Sequence, residues 1–178
     1  ISAKEMEDDA ADQYFEALSG YENAFLVPER IKGGENLRFN GSFTMLNWGN
    51  TAAAGTLSLA LHKDLLDKEQ WDLVHDSITD TADAYLAAQK KQCYGVPYMN
   101  DNPAYDPNAA NDGYDHSLPT GFEYGSNGMI LHNMIALAYA YDLSQDPNYM
   151  KGIVNGMDYL LGNNPLSLSF ITGYGTKT

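Results

Sequence analysis

Asn127-Gly-Met-Ile-Leu-His-Asn-Met-Ile-Ala-Leu-Ala-Tyr-Ala-Tyr-Asp-Leu143 runs into the turn Ser144-Gln145-Asp146-Pro147 and then into Asn148-Tyr-Met-Lys-Gly-Ile-Val-Asn-Gly-Met-Asp-Tyr-Leu-Leu161. The first run is apolar almost all round, holds no proline and is too long for a strand, so it predicts a buried helix. The second places Tyr149, Ile153, Met157 and Leu160 on one side at helical spacing, which predicts an amphipathic partner. Gly162 and Pro165 then form a stop signal, because glycine ends a helix and proline cannot continue one. Two such helices across a short polar turn make an αα-hairpin.

The same plan occurs twice upstream. Asp9 to Leu18, the turn Ser19-Gly20 and Tyr21 to Ile31 form the weakest copy, with Pro28 limiting its second helix. Thr51 to Leu61, a turn over His62 to Asp67 and Lys68 to about Gln92 form the next. In its long helix Trp71, Leu73, Val74, Ile78, Ala82 and Leu86 give an apolar stripe. Ala52, Ala53, Ala54 and Gly55 are small enough for the shorter helix to approach its neighbours closely. One hairpin alone cannot bury its apolar face, so hairpins stack, giving either a solenoid or a closed α/α toroid. Two long loops, Lys32 to Asn50 and Cys93 to Tyr124, interrupt the pattern, and loops of that length are usually functional. The reading is all-α.

Composition narrows the partners. With 24 acidic and 10 basic residues among 178, the net charge is -14, which repels phosphate backbones and anionic membrane surfaces. Thirteen tyrosines suit neutral sugars, which are held against flat ring faces. Cys93 stands alone, so no intrachain disulfide or thiolate cluster arises from these residues. No apolar run approaches the ~20 residues needed to span a bilayer. The acidic opening from Ile1 does not look like the start of a gene product or a secretory leader.

Four pieces of the chain resemble the C-terminal part of the catalytic module of glycoside hydrolase family nine, mostly endoglucanases acting on cellulose and related β-1,4-glucans. Tyr124-Gly125-Ser126-Asn127 resembles that family's step into an inner helix, and Met134 to Leu143 resembles the helix and its turn. Tyr159-Leu-Leu-Gly162 followed by Asn164-Pro165 is similar to the family's Tyr-Leu-Leu-Gly-x-Asn-Pro. Ser169-Phe-Ile-Thr-Gly-Tyr-Gly175, then Lys177, resembles the opening of its histidine-containing signature. Phe43 to Leu61 is similar to another inner helix, and Glu16 to Leu26 loosely to the hairpin before it.

The resemblance implies a partial (α/α)6 barrel with long loops on one face, residues 1–178 forming one fragment that lacks the module's N-terminal part and C-terminal end. It implies an inverting hydrolase, extracellular or at the cell surface, cutting internal bonds of a β-1,4-glucan, its binding partner, without a required cofactor. Inversion needs two carboxyl groups ~6.5 to 9.5 Å apart with water between them. The resemblance places the base before Ile1, and the general acid and signature histidine after Thr178. No catalytic residue is therefore expected here, and the fragment alone should be inactive. Tyr124 stands where the family stacks an aromatic ring on a glucosyl unit, and Trp48 fits a similar place at the mouth of the preceding inner helix. Tyr124 could instead close the helix end with its ring in the core, and Trp48 could pack under its loop.

Other candidates read more plainly. Asp112, Asp115, His116 and Glu123 share a loop, but nothing in their spacing fixes them on one face. They, or Glu7, Asp8, Asp9 and Asp12, could offer oxygens to the structural calcium that some family members hold, yet the match is too loose to assign a metal site. His62, His75 and His132 lack a second ligand at helical spacing and read as ordinary helix residues. The alternatives to a glucanase are another α/α-toroid enzyme acting on polysaccharide, or a non-catalytic helical module binding glucan or protein.

Overall fold

The computed structural model describes residues 9–21, 23–27, 45–46, 51–98 and 125–175. Five α-helices and a short 3-10 turn make up its regular structure, with no strand among the described residues. They are α1 (Ala11–Ser19), α2 (Ala53–Ala60), the 3-10 turn Lys63–Leu65, α3 (Lys68–Gln89), α4 (Ser126–Ser144) and α5 (Pro147–Leu161).

The two downstream hairpins form as their sequence predicts, and their turns show why. Asp67 caps α3 by accepting the Gln70 N–H at 2.9 Å, while the Gln70 side chain accepts the Asp67 N–H at 3.1 Å. This reciprocal box satisfies two donors that a bare helix end would leave open. Asp146 caps α5, accepting the Asn148 N–H at 2.9 Å, and Pro147 opens the helix where its missing N–H costs nothing. Between α4 and α5, Gln145 takes the left-handed conformation at φ 60°, and its amide donates back to Tyr141 and Asp142 carbonyls. The Tyr141 carbonyl also accepts the Gln145 backbone N–H at 2.7 Å, so the side-chain bond to Asp142 is the one that reaches a carbonyl the helix end leaves open.

The helices touch in the order of the chain, α2 on α3, α3 on α4 and α4 on α5, and α3 also reaches α5. Val74, Ile78, Ala82 and Tyr85 of α3 are buried in one cluster with Leu57 and Leu59 of α2 and Ala136, Leu137 and Ala140 of α4. Val96, Tyr98, Met129, Ile130, Met134, Tyr159 and Leu160 form a second cluster at the other end of α4. The apolar α2 and α4 each open a hairpin, and the amphipathic α3 and α5 follow the turns after them.

Three expectations are revised. No helix forms over residues 23–27, where turns closed by Ala24 N–H to Tyr21 O and Leu26 N–H to Asn23 O lead into Val27. The Val27 N–H donates instead to Ser77 Oγ of α3 at 2.8 Å, so the end of this turn segment is tied to the next hairpin. Of the small residues of α2, Ala53 is fully buried in the core, but Gly55 is not a point of close approach, whereas two glycines of α5 are. A Cβ at Gly55 would meet nothing within 4 Å. One at Gly152 would lie 2.6 Å from Leu86 Cδ2 and 3.0 Å from Leu137 Cδ1, and one at Gly156 would lie 2.5 Å from Met134 Sδ. Finally, Leu73 lies outside the buried stripe of α3, which runs through Ser77, Thr81 and Gln89 instead.

Candidate functional site

The expected sugar-binding residues, Tyr124 and Trp48, both lie outside the described residues, as do Asp112, Asp115, His116 and Glu123. What the structure describes is the scaffold at the mouths of α2 and α4. Gly125 opens α4 at φ 83°, a left-handed conformation that a side chain would strain, and its carbonyl accepts the Gly128 N–H at 2.9 Å. Glycine at this step is therefore a backbone requirement of the turn that follows Tyr124.

Met45 and Leu46, just before Trp48 in sequence, are held between two helices. The Met45 N–H donates to the Tyr85 hydroxyl of α3 at 2.5 Å, with both residues buried. His132 of α4 makes a hydrogen bond with the Leu46 backbone. Burial lowers the His132 pKa below its ordinary value, and the bond to Leu46 opposes that shift only in part. A neutral ring bridging α4 and the loop follows, so His132 does more than decorate a helix.

The start of the second long loop is equally fixed. Gln89 Nε2 donates to Gly95 O at 2.6 Å and Gly152 O at 2.9 Å, Gln92 Nε2 to Tyr98 O at 2.8 Å, and Asn133 Nδ2 to Pro97 O at 2.8 Å. Val96, Pro97 and Tyr98 are buried as a result. Sequence reading treated Cys93 to Tyr124 as one loop and missed this anchored entry. The signal was there: an asparagine and a glutamine on otherwise apolar helix faces must find partners when buried.

Beyond α5, Asn164 organises the segment that carries the family-like motif. Its Nδ2 donates to Tyr159 O and Leu168 O, both at 2.8 Å, and its Oδ1 accepts from Leu166 N–H at 3.1 Å and Leu168 N–H at 3.4 Å. A buried amide with every donor and acceptor in use fixes a chain direction. The Phe170 N–H reaches Leu160 O at 2.8 Å, and the Phe170 ring packs edge-on to Tyr159 at 5.6 Å. Gly162 at φ 134° makes the exit from α5, as its stop signal predicts.

Acid and metal chemistry find little support in the described residues. No group of three or more His, Cys, Asp or Glu among them could hold a metal ion, and His62 lies at the 3-10 turn rather than in an α-helix. His75 pairs with Asp76 at 2.9 Å and stands beside the Trp71 ring. A groove of about 600 Å³ runs along α3 beside Leu26, lined by Asp72, Asp76 and Asp80 among others. Those carboxylates are solvent-exposed, Lys68 pairs with Asp72, and none is enclosed as a general acid must be. Among the described residues no helix is long and apolar enough to cross a membrane.

Among the described residues, an all-helical array of αα-hairpins, apolar helices alternating with amphipathic ones, is a partial (α/α)6 barrel. The chain belongs to glycosyl hydrolase family 9, whose model matches residues 5–178. It is 32% identical over 168 residues to a cellulose 1,4-beta-cellobiosidase of Acetivibrio thermocellus, covering 93% of this chain and 17% of that protein. It is 35% identical over 130 residues to endoglucanase C of Cellulomonas fimi, covering 72% of this chain and 10% of that one. A cellodextrinase of Butyrivibrio fibrisolvens is 28% identical over 176 residues, 94% of this chain and 28% of its own length. The chain thus spans less than a third of each of these relatives.

Proposed function

We propose that the chain is one part of the catalytic module of an inverting β-1,4-glucanase. The observation that carries this reading is the family match over residues 5–178, joined by cellulase relatives across most of the chain. In this reading the described scaffold presents the mouths of α2 and α4 to the glucan, with Tyr124 and Trp48 as stacking rings. Asn164 and Gly162 aim the Ser169 to Gly175 segment toward the same cleft. The base, the general acid and the signature histidine are supplied by other parts of the module, so these residues alone bind glucan without hydrolysing it. Water is the nucleophile and no cofactor takes part in the reaction; any calcium is structural. The substrate is a polymer that cannot enter a cell, so the enzyme works outside it, and its net charge of -14 fits a neutral glucan better than nucleic acid or membrane.

Cello-oligosaccharide hydrolysis by the full-length protein, followed by proton NMR of the first-formed product, tests the reaction. The α-anomer is expected, and the β-anomer would overturn inversion. Release of sugar by the 178-residue chain alone would overturn the placement of the carboxyl groups elsewhere. Tyr124→Ala in the full-length protein should weaken oligosaccharide binding about ten-fold or more, the loss of one stacked ring. Unchanged binding with an intact fold would remove Tyr124 from the cleft.

A further inference from the structure

His132 and Asn133 are neighbours on α4, yet they hold different parts of the chain. The Asn133 amide donates to the Pro97 carbonyl at 2.8 Å and fixes the segment that follows α3. The His132 ring bonds the Leu46 backbone, ahead of α2. Beside Leu46, the Met45 N–H is taken by the Tyr85 hydroxyl of α3. Of these three ties, the His132 bond is the one that a proton can break in mild acid.

The two ring nitrogens of His132 are unequal. Nδ1 is buried and meets no hydrogen-bond partner among the described residues, which leaves Nε2 as the nitrogen that reaches Leu46. A neutral ring with Nε2–H donating to the Leu46 carbonyl and Nδ1 as a bare acceptor satisfies both facts. A proton added at Nδ1 would be an enclosed, charged donor with nothing to accept it. The ring can take that proton only by turning out to water, and the bond to Leu46 goes with it. Neighbouring elements offer the charge no counterpart. Among the described residues α2 carries no ionisable side chain, and every Asp, Glu and Lys of α3 and α5 is exposed. His75 of α3 pairs with Asp76, and Asp142 of α4 is exposed beyond the core that holds Ala136 and Ala140. Tyr85 and Tyr98, buried on the neighbouring segments, are phenols and carry no charge in acid.

We propose that His132 is a positioning residue for the mouth of α2: its neutral ring latches Leu46 against α4, and a proton on the ring releases it. The latch itself is independent of substrate. Its bearing on sugar rests on the glucanase reading, in which the chain between Leu46 and α2 borders the cleft. The direction follows from the burial that disfavours the charged ring. A base held neutral by the fold keeps its contribution above the free value of about 6.5 and loses it as pH falls below that value. With the released ring free to bind a proton and the latched ring refusing it, the released population rises by up to about ten-fold between about pH 7.5 and pH 5.5.

Hydrogen exchange in peptides containing Leu46 reads the latch directly in the full-length protein. His132→Gln supplies an amide N–H in place of Nε2–H and does not titrate, so the two proteins are compared at the same pH. The ratio of wild-type to His132→Gln exchange rates should rise several-fold, by up to about ten-fold, from about pH 7.5 to pH 5.5. A ratio that does not change would overturn the latch. Kinetics on cello-oligosaccharides then read the positioning. At about pH 7.5, His132→Ala should raise KM at least about three-fold with kcat within about two-fold of wild type, and His132→Gln should restore KM. An unchanged KM in His132→Ala, with faster exchange at Leu46, would overturn the positioning role. Absence of hydrolysis by the wild-type full-length protein would count against the glucanase reading and not against the latch, which the exchange ratio establishes by itself.

Discussion

The helices α3 and α5 occupy equivalent places in successive hairpins, yet they pack by different means. The buried side of α3 is filled by large side chains, Val74, Ile78 and Tyr85, which leave no exposed surface. On α5 the corresponding side opens at Gly152 and Gly156, so the side chains of Leu86, Leu137 and Met134 come in against its backbone. Polar faces differ too, acidic on α3 and mixed on α5. One hairpin plan thus accommodates both side-chain filling and backbone approach, and substitutions should separate the two.

The largest effect is expected where packing depends on volume. Ile78→Ala removes a fully buried side chain from the cluster shared by α2, α3 and α4 and should destabilise the chain by about 3 kcal/mol. Urea unfolding followed by far-UV circular dichroism measures it. A cost below about 1 kcal/mol would mean that the site collapses around the gap, contrary to a filled core.

Next comes the bracket beyond α5. Asn164→Ala leaves the Tyr159 and Leu168 carbonyls and two N–H groups without their shared partner, and should cost about 2 kcal/mol. Hydrogen exchange should rise at Leu166 and Leu168 while α3 stays protected. Uniform loss across the whole chain would instead make Asn164 a global core residue.

Gly152→Ala sets two effects against each other. Alanine gains about 1 kcal/mol of helix propensity, whereas a Cβ 2.6 Å from Leu86 and 3.2 Å from Oε1 of Gln89, whose Nε2 donates to the Gly152 carbonyl, forces repacking worth about 1 to 3 kcal/mol. A net loss of about 1 kcal/mol is expected. Gly156→Ala meets mainly the flexible Met134 thioether, which can swing aside, so its loss should be smaller. A net gain at Gly152 would contradict the close approach.

The same contrast explains what could be read in the sequence. Periodicity placed α3, α4 and α5 within a few residues, because apolar spacing and caps such as Asp67 and Pro147 are local signals. It predicts close packing over Ala52 to Gly55, where Ala53 is buried in the core but Gly55 meets no neighbour, since small residues look alike whether or not a neighbour comes near. The glycines that do admit a neighbour, Gly152 and Gly156, differ only in what stands opposite them, which is a tertiary fact. Residues 23–27 read as helical by composition, but Ser77 offers the Val27 N–H a partner from far along the chain. At the site, Gly162 and the Asn-Pro step are legible because a helix stop answers a backbone demand, whereas Gly125 enters only through the family resemblance. The parts played by His132, Asn133 and Gln89 depend on loops brought to them by the fold.

The smallest effect concerns the hydroxyl that ties α5 to α3. Tyr149 of α5 donates to Asp83 Oδ1 of α3 at 2.8 Å. Burial, reinforced by that bond and the nearby Asp83 charge, raises the Tyr149 pKa well above its ordinary value. The folded state therefore favours the protonated phenol. Its contribution is complete below the unfolded value of about 10 and is lost as pH rises from there toward the higher folded pKa. Tyr149→Phe should cost about 1 kcal/mol or less near neutrality. It should also flatten the fall in urea midpoint between about pH 9 and pH 11. Tyr159, whose pKa burial also raises, leaves part of that slope in place, so the Tyr149→Phe, Tyr159→Phe pair should flatten it further. If Tyr149→Phe left the alkaline slope unchanged, the Tyr149–Asp83 contact would not link α5 to α3 in solution, and the glycine approach with the Gln89 to Gly152 hydrogen bond would hold the two together.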